Sequence, residues 1–265
     1  MSVGANFSYL YGDITHQSMT TIGATDTRSI KLDKFSISDY KLDFGLQYTY
    51  KLNKKNTINI GAVYTLGRTL HGDAYKYHQT GAESNGSIYV QSQTGDTIPN
   101  PFKMPHTFGI GLTYVYDNRL TIGVDYTLQK WNTADLAWSK FNKESVEMNS
   151  RTKIAFGAEF VPSYISHNYL KRIRYRMGAY CSSPYNKVSY TSPDTGTTSF
   201  QDGAREYGVS IGFGLPMFQS KSMLNISGQY IKVSPKFKGL MEENYLRINI
   251  GLTFNERWFM KWKVD

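Results

Sequence analysis

Three arginines are spaced so that they could bind one anion between them. Arg174 and Arg176 are two residues apart, and Arg247 lies in a later segment with the same alternating pattern. Residues two apart in a β-strand share a face, and a guanidinium group pairs well with a carboxylate or a phosphate. The pattern predicts a surface that meets an anionic head group. The alternative is that these arginines form interior ion pairs, for which the acidic partners are Asp43, Asp125 and Glu159.

The same alternation places other polar side chains on this face. The charged and amide residues predicted to share it are Asp43, Gln47, Asp125, Gln129, Lys153, Glu159, Arg174, Arg176, Gln229 and Arg247. The tentative ligand-binding residues chosen from this set are Arg174, Arg176, Arg247, Asp125, Gln129 and Glu159. We predict no catalytic residue and no metal ligand among them.

The five histidines form no recognisable catalytic or metal-binding pattern. They are His16, His71, His78, His106 and His167, and none lies in a local Ser/His signature. His71 and His78 are separated by an odd number of residues, so they point to opposite faces of a straight strand. A shared metal would need a bend between them. We therefore expect no enzyme and no cofactor; a barrel phospholipase that uses Ser, His and Asn is the competing catalytic class.

The elements that position these residues are about ten stretches in which an apolar residue occupies every second position. The clearest runs from Lys41 to Lys51, where Leu42, Phe44 and Leu46 alternate with Asp43 and Gly45. The others are Val3–Tyr11, Ile58–Leu66, Phe108–Tyr116, Leu120–Leu128, Ile154–Phe160, Ile173–Met177, Tyr207–Phe213, Leu224–Tyr230 and Leu246–Phe254. One apolar and one polar face, repeated along a whole chain, predict an all-β, antiparallel transmembrane β-barrel of about ten strands.

Composition favours the barrel over other classes. No stretch approaches the roughly 20 apolar residues that a membrane-spanning helix needs. The 265 residues are only 40% hydrophobic, with a mean hydropathy of -0.44, as expected when alternate residues face lipid. Tyrosines, 21 in number, cluster at strand ends, where such rings suit a membrane interface. A soluble two-sheet protein remains the alternative.

Short and long connections alternate, which is typical of outer-membrane barrels. The predicted short, periplasmic turns are Asn53–Asn56, Asp117–Arg119 and Gln219–Ser222. The predicted long, outer connections are Thr21–Leu32, Gln79–Ser87, Ala137–Glu147, Thr191–Ser199 and Ser234–Glu243. Pro162–Lys171 is long where a short turn is due, and is either a periplasmic excursion or a short helix. Several strands should project outward as a rim carrying His16, Lys31, Lys34, His71, Lys76 and His78.

A net charge of +9 raises the question of a nucleic-acid partner. The basic residues, however, are concentrated in Lys171–Arg176, in the Lys54–Lys55 turn and in the C-terminal tail. On the barrel interpretation most of them lie at the periplasmic rim, where lysine and arginine anchor near lipid headgroups. We therefore expect outer-membrane lipid and lipopolysaccharide as neighbours, and no nucleic acid.

Several segments resemble strand signatures of the FadL/TodX family of outer-membrane transporters. They are Gly4–Gly12, Pro105–Gly111, Asp125–Trp131, Arg174–Tyr180, Ser183–Tyr185 and Gly212–Pro216, and the closing Leu252–Phe259 is similar to the Bacteroidetes branch. The resemblance covers the C-terminal part of such a barrel. It implies that residues 1–265 are a single barrel domain without the family's N-terminal hatch and first strands, either truncated from about fourteen strands or a smaller relative.

The resemblance also implies a function. Members of this family are monomers that pass long-chain fatty acids or other hydrophobic compounds through the bacterial outer membrane by passive diffusion. Burial of an acyl chain would supply the affinity, at roughly 0.8 kcal/mol per CH2 group. The alternative is a small outer-membrane barrel with a structural, surface-binding or secretion-partner role, which would need no open lumen.

Overall fold

The chain is built almost entirely of β-strands. The computed structural model describes residues 1–22, 27–84, 87–133, 147–191, 198–217, 222–235 and 241–254. The strands within these ranges are β1 (Ser2–Ile22), β2 (Thr27–Lys51), β3 (Asn56–Thr65), β4 (Gly72–Ser84), β5 (Ser87–Pro99), β6 (Thr107–Tyr116), β7 (Leu120–Gln129), β8 (Arg151–Phe160), β9 (Arg174–Ser182), β10 (Lys187–Thr191), β11 (Thr198–Asp202), β12 (Arg205–Pro216), β13 (Met223–Ser234) and β14 (Glu243–Thr253).

Helical structure in these ranges is limited to a 3-10 turn, Trp131–Thr133, and the short helix α1, Tyr169–Arg172. The side chain of Asn168 caps α1 by accepting a hydrogen bond from the Leu170 backbone N–H. None of the described helices has the length and apolar character to cross a membrane.

Twelve strands form one antiparallel sheet in the order β14-β13-β12-β9-β8-β7-β6-β3-β2-β4-β5, with β1 paired to β2. Along one edge β2 pairs with β1, while along the other it pairs first with β3 over residues 43–51 and then with β4 over residues 27–37. β3 and β4 therefore lie one after the other along the same edge of β2, and we call such a line of strands one row of the sheet. In the same way β5 shares a row with β6, and the separate β10–β11 hairpin continues β9 and β12.

Counted by rows, the described strands cross the sheet ten times, and the prediction of about ten barrel strands is confirmed. Within the described residues no pairing joins β1 to β14, so these are the two edge strands. Every stretch predicted from alternation lies in a strand, apart from one terminal residue each at Leu66, Ile173 and Phe254.

Two predicted loops are largely strand. Residues 21–32 were expected to form a long connection, but β1 runs to Ile22 and β2 begins at Thr27. Residues 79–87 were also expected to be a loop, but β4 runs to Ser84 and β5 begins at Ser87. In both places the backbone pairs with a neighbouring strand, and this ladder outweighs the polar, turn-like composition.

The short turns form as expected. Asn53 Oδ1 accepts hydrogen bonds from the backbone N–H groups of Lys55 and Asn56, which closes the β2–β3 turn. Asp117 and Asn118 both have positive φ, 48° and 52°, and the Arg119 backbone N–H donates to the Tyr116 carbonyl at 2.8 Å, which closes the three-residue turn between β6 and β7. The Pro162–Lys171 connection contains the start of α1, so the short-helix alternative is confirmed. The predicted turn at residues 219–222 and the loop at 137–147 fall mostly outside the described residues.

One face of the sheet is apolar and exposed, which we call the outer face. Its residues include Leu46, Ile110, Val209 and Ile250, with exposed fractions of 44%, 62%, 56% and 73%. The buried apolar residues in the described part of the chain are Leu70, Ala74, Val161, Ile173 and Ile231, and only Ile173 belongs to a predicted apolar stretch. In a soluble two-sheet protein the alternating apolar residues would form the core. The exposed face confirms the transmembrane barrel class instead.

Four strands, β3, β6, β7 and β8, contain 10 residues each, which is the length that crosses a bilayer. By contrast β1 has 21 residues and β2 has 25. The excess, residues 12–22 and 27–37 together with β4 and β5, forms a four-stranded extension that we call the outer sheet. The predicted rim residues His16, Lys31, Lys34, Lys76 and His78 lie in it, and His71 directly precedes β4.

Candidate functional site on the inner face

The face opposite the apolar one, the inner face, carries all six predicted ligand-binding residues. It also carries many glycines, which are Gly4, Gly45, Gly61, Gly109, Gly111, Gly123, Gly157, Gly178, Gly208, Gly212, Gly214 and Gly251. Several pair directly across strands, as Gly61 does with Gly111 and Gly157 with Gly178. Glycine leaves space that neighbouring side chains or a ligand can fill.

Glu159 holds two of the predicted arginines together. Arg176 Nε donates a hydrogen bond to Glu159 Oε2 at 2.7 Å, and Arg174 Nη1 donates to Oε1 at 3.2 Å. Arg176 Nη1 also donates to Asn225 Oδ1 at 2.8 Å. Two guanidinium groups share one carboxylate, so this cluster retains one positive charge. The ion-pair alternative is therefore realised with Glu159 for Arg174 and Arg176.

Small residues beside the arginines permit this arrangement. Gly212 faces Arg176 across the β9–β12 pairing, and Gly214 faces Arg174. A Cβ atom on Gly214 would lie only 3.1 Å from Arg174 Cβ. Glycine at these positions lets both arginine stems lie across β12 towards β13.

A polar cavity of about 310 Å³ lies beside Arg176. Its inner-face side chains come from four neighbouring strands, β9, β12, β13 and β14, and are Arg176, Ser210, Asn225, Ser227, Gln229 and Asn249. Arg247 is the cross-strand partner of Gln229 and so borders the cavity. The sequence analysis identified Arg176 and Gln229 on this face, but not the asparagines and serines that complete the lining.

A second inner-face cavity, of about 460 Å³, lies further along the sheet. Four of its lining residues are glycines, Gly4, Gly45, Gly61 and Gly111, and its polar side chains include Gln47, Asn59 and Asp125. A Cβ atom on Gly111 would overlap the Asp125 carboxylate. The glycines therefore create the space that the Asp125 side chain and this cavity occupy.

The structure does not gather the predicted site residues into one place. Asp125 belongs to the glycine-lined cavity, whereas Arg176 lines the polar one and shares Glu159 with Arg174. Gln129 lies at the end of β7, where its Oε1 accepts a hydrogen bond from Trp131 Nε1 at 3.1 Å. Ligand binding at any of these residues stays a prediction.

The sequence analysis did not identify a cluster formed by the buried Asp39 with Arg68 and His71. The Asp39 side chain is 2% exposed and lies where β2 exchanges β3 for β4 as its partner. Its Oδ2 accepts hydrogen bonds from the His71 backbone N–H at 2.8 Å and lies 3.1 Å from His71 Nδ1. Its Oδ1 lies 3.3 Å from Arg68 Nη2, and that guanidinium stacks over the Tyr40 ring at 3.9 Å.

Asp39 lies beyond the residues that pair with β3, so it is outside the membrane-spanning part of β2. Burial alone would raise the pKa of its carboxyl, but hydrogen bonds from the backbone N–H groups of His71 and Tyr40, with the Arg68 charge, outweigh burial and lower the pKa. Only the strand register brings these residues together, because Arg68 and His71 are distant from Asp39 in sequence.

The described residues contain no group of three or more His, Cys, Asp or Glu side chains that could hold a metal ion. His106 and His78 each form a hydrogen bond with a single hydroxyl group. Tyr64 pairs through its hydroxyl with His106 Nδ1 at 2.8 Å, and His78 Nε2 lies 3.0 Å from Ser29 Oγ.

Relatives of the chain were found at the level of family and of fold. The sequence profile of the BamG family matches residues 1–265. A solved structure described as the CymD monoaromatic hydrocarbon channel is similar, with a TM-score of 0.46 and 12% sequence identity. That similarity covers 88% of this chain and 64% of the channel, so the chain spans less than two thirds of the channel's length. No curated protein sequence matches the chain.

The family match supports the predicted outer-membrane barrel, while membership of the FadL/TodX family stays a prediction. Because the profile match extends over every residue of the sequence, the chain belongs to the BamG family.

Proposed function

We propose that this BamG-family chain is an outer-membrane barrel that takes part in outer-membrane assembly as a structural partner of other assembly components. The observation that carries the proposal is the whole-chain family match, since the family name is associated with outer-membrane assembly. This role corresponds to the partner alternative of the sequence analysis, and it needs no catalytic residue.

The outer sheet supports a partner role. A bilayer crossing uses about 10 residues of each strand, and β2, with 25 residues, extends far beyond that length. The extension is a sheet of four strands with Tyr75 and Tyr77 stacked at 6.4 Å on one of its faces. The Asp39 cluster ties its base to the end of β3. Such a projection offers a surface that a partner could bind.

The outer face of the wall offers a second contact surface. An apolar groove of about 370 Å³ lies near the short-turn end, between β7, β8, β9 and β12. Its outer-face side chains are Leu120, Ala158, Phe160, Tyr175, Met177, Ile211 and Phe213. Ala158 is small and its neighbours are large, so the wall is indented at this position. Lipid acyl chains or another membrane protein would fill such a groove.

A second candidate function is passage of hydrophobic compounds, such as fatty acids or aromatic compounds, along the inner face. The glycine-lined cavity favours it, because four glycines leave room for a ligand there. The polar character of the other inner-face cavity is less suited to this role, since an apolar path would require apolar lining. The apolar grooves lie on the outer face instead.

Depletion of the protein in its native cell separates these two functions. A role in assembly predicts that unrelated outer-membrane barrels lose abundance together, as measured by quantitative mass spectrometry of outer membranes. A role in passage predicts normal barrel abundance and slower uptake of labelled fatty acid. Normal abundance of all barrels after depletion would refute the assembly proposal.

The role of the outer sheet as a partner surface can be tested by introducing negative charge into it. Lys34→Glu together with Tyr75→Glu changes two in-register residues of β2 and β4. This variant should fail to rescue barrel abundance although it reaches the membrane. Lys54→Glu, in the turn at the opposite end of β2, is the matched control and should rescue fully. Full rescue by the outer-sheet variant would exclude that sheet as the partner surface.

A further inference from the structure

The polar inner-face cavity has an unusual charge balance. Glu159 is shared by Arg174 and Arg176, which leaves one positive charge at the cavity edge. Arg247 adds a second positive charge at the next register position, and no ion pair to it occurs within the described residues. The described residues that line the cavity include no carboxylate, and Glu159 reaches Arg176 from outside this lining.

The other polar side chains of the lining can all donate hydrogen bonds. Asn225, Gln229 and Asn249 carry amide N–H groups, and Ser210 and Ser227 carry hydroxyls. Asn225 Oδ1 accepts from Arg176, and its Nδ2 donates one hydrogen bond to Thr253 Oγ1 at 3.5 Å, which leaves the second amide hydrogen for another partner. Guanidinium, amide and hydroxyl donors together match a ligand that only accepts hydrogen bonds.

We propose that this cavity binds an oxyanion of the phosphate class, held by the Arg176 guanidinium with donors from Asn225, Ser227 and Asn249. A volume of about 310 Å³ is large enough for a phosphate group and attached atoms. The two excess positive charges favour an anion, and a phosphate group carries one negative charge as a phosphodiester and up to two as free phosphate near neutral pH. The ligand is either free phosphate or a phospholipid headgroup, which present the same oxygens. The proposal goes beyond the second candidate function and shares with it only the location on the inner face.

Arg176 is a ligand-contacting residue on this view, and Glu159 is a positioning residue. Glu159 fixes the Arg176 Nε, so that the opposite side of the guanidinium faces Asn225 and the cavity. A guanidinium held by a carboxylate on one side is preorganised for an anion on the other, which lowers the entropy lost on binding.

The test adds a charge without changing shape. Ser227 lies in the lining, in register with Gly212 and Asn249. Ser227→Asp brings a carboxylate into the cavity, while Ser227→Asn adds a side chain of equal size and no charge. Loss of a charge-assisted hydrogen bond corresponds to at least about tenfold in affinity. Ser227→Asp should therefore weaken binding by at least about tenfold relative to Ser227→Asn.

Binding is measured by isothermal titration calorimetry on the full chain in dodecyl maltoside micelles. One arm uses inorganic phosphate and the other uses monomeric dihexanoylphosphatidylglycerol. Saturation in either arm supports the site, and the arm that saturates at lower concentration identifies the source. Arg176→Gln should lose binding, whereas Arg151→Gln should keep it, because Arg151 does not line the cavity.

Two results would overturn the proposal. The first is the absence of saturable binding in both arms by folded wild-type chain. The second is equal binding by Ser227→Asp and Ser227→Asn, which would place any bound anion elsewhere. Neither result bears on the uptake of labelled fatty acid, so failure of this site and failure of the second candidate function can be told apart.

Discussion

Leu112 gives a direct test of which face of the sheet meets lipid. It is the sixth of the 10 residues of β6, and its cross-strand partners on the same face are Ile60 and Val124. All three are partly exposed, Leu112 at 50%. Arginine on the lipid face of a barrel costs about 2–4 kcal/mol at the bilayer midplane. Leu112→Arg should therefore lower the free energy of unfolding by about 2–4 kcal/mol.

Thr113 is the matched control, one residue further along β6 and on the inner face. Its cross-strand partners are Asn59 and Gly123, and the absence of a side chain at Gly123 leaves room for a longer residue. Thr113→Arg should change the free energy of unfolding by less than about 1 kcal/mol. Urea titration of the chain folded in liposomes, followed by tryptophan fluorescence, measures both variants. A Thr113→Arg cost equal to or above that of Leu112→Arg would refute the assignment of faces.

Three further predictions concern the inner face and the outer sheet. Gly208→Ala should destabilise the fold by about 1–3 kcal/mol, because the added methyl group overlaps the Tyr180 ring, whereas Gly228→Ala, with open space around it, should be nearly neutral in the same titration. Asp39→Ala should loosen the outer sheet by about 3 kcal/mol, because it leaves Arg68 without its carboxylate, and limited proteolysis of β4 and β5 would detect this. Because the pKa of the Asp39 carboxyl is lowered, its stabilising contribution is complete above the ordinary value of 3.8 and is lost as pH falls below that value. Acid should therefore increase proteolytic cleavage of the outer sheet in the wild type, and Asp39→Asn should lose this pH dependence. The same pH dependence in Asp39→Asn would contradict the assignment.

The barrel wall could be predicted from sequence because its signal is local. Alternation with a period of two is visible within one strand, and the exposed outer face keeps every apolar residue of a stretch such as Leu42–Tyr50 on one side. Turn chemistry is equally local, as Asn53 and the positive φ of Asn118 show. These features depend on few distant contacts, so the ten rows and the short turns at 53–56 and 117–119 could be predicted from the sequence alone.

The outer sheet and the Asp39 cluster depend on distant contacts. The first residues of β2, 27–32, read as polar loop, and they become strand because β1 pairs along one edge and β4 along the other. Asp39 carries no local signature, since its partners Arg68 and His71 reach it only after β3 has ended. The polar inner-face cavity could be predicted only in part from the sequence, for the same reason. Arg176 is visible by alternation, but its contacts with Glu159 and Asn225 follow from register.

The distribution of polar and apolar surface bears on which function the barrel serves. A passage for hydrophobic compounds places its apolar surface where the compound travels, and here the apolar grooves lie on the outer face. The inner face holds a shared carboxylate at Glu159, amide side chains and glycines. The longest strands extend into the outer sheet beyond the bilayer, and the buried Asp39 stabilises the base of that sheet. This distribution supports the proposed contact with other membrane components over conduction of an apolar solute.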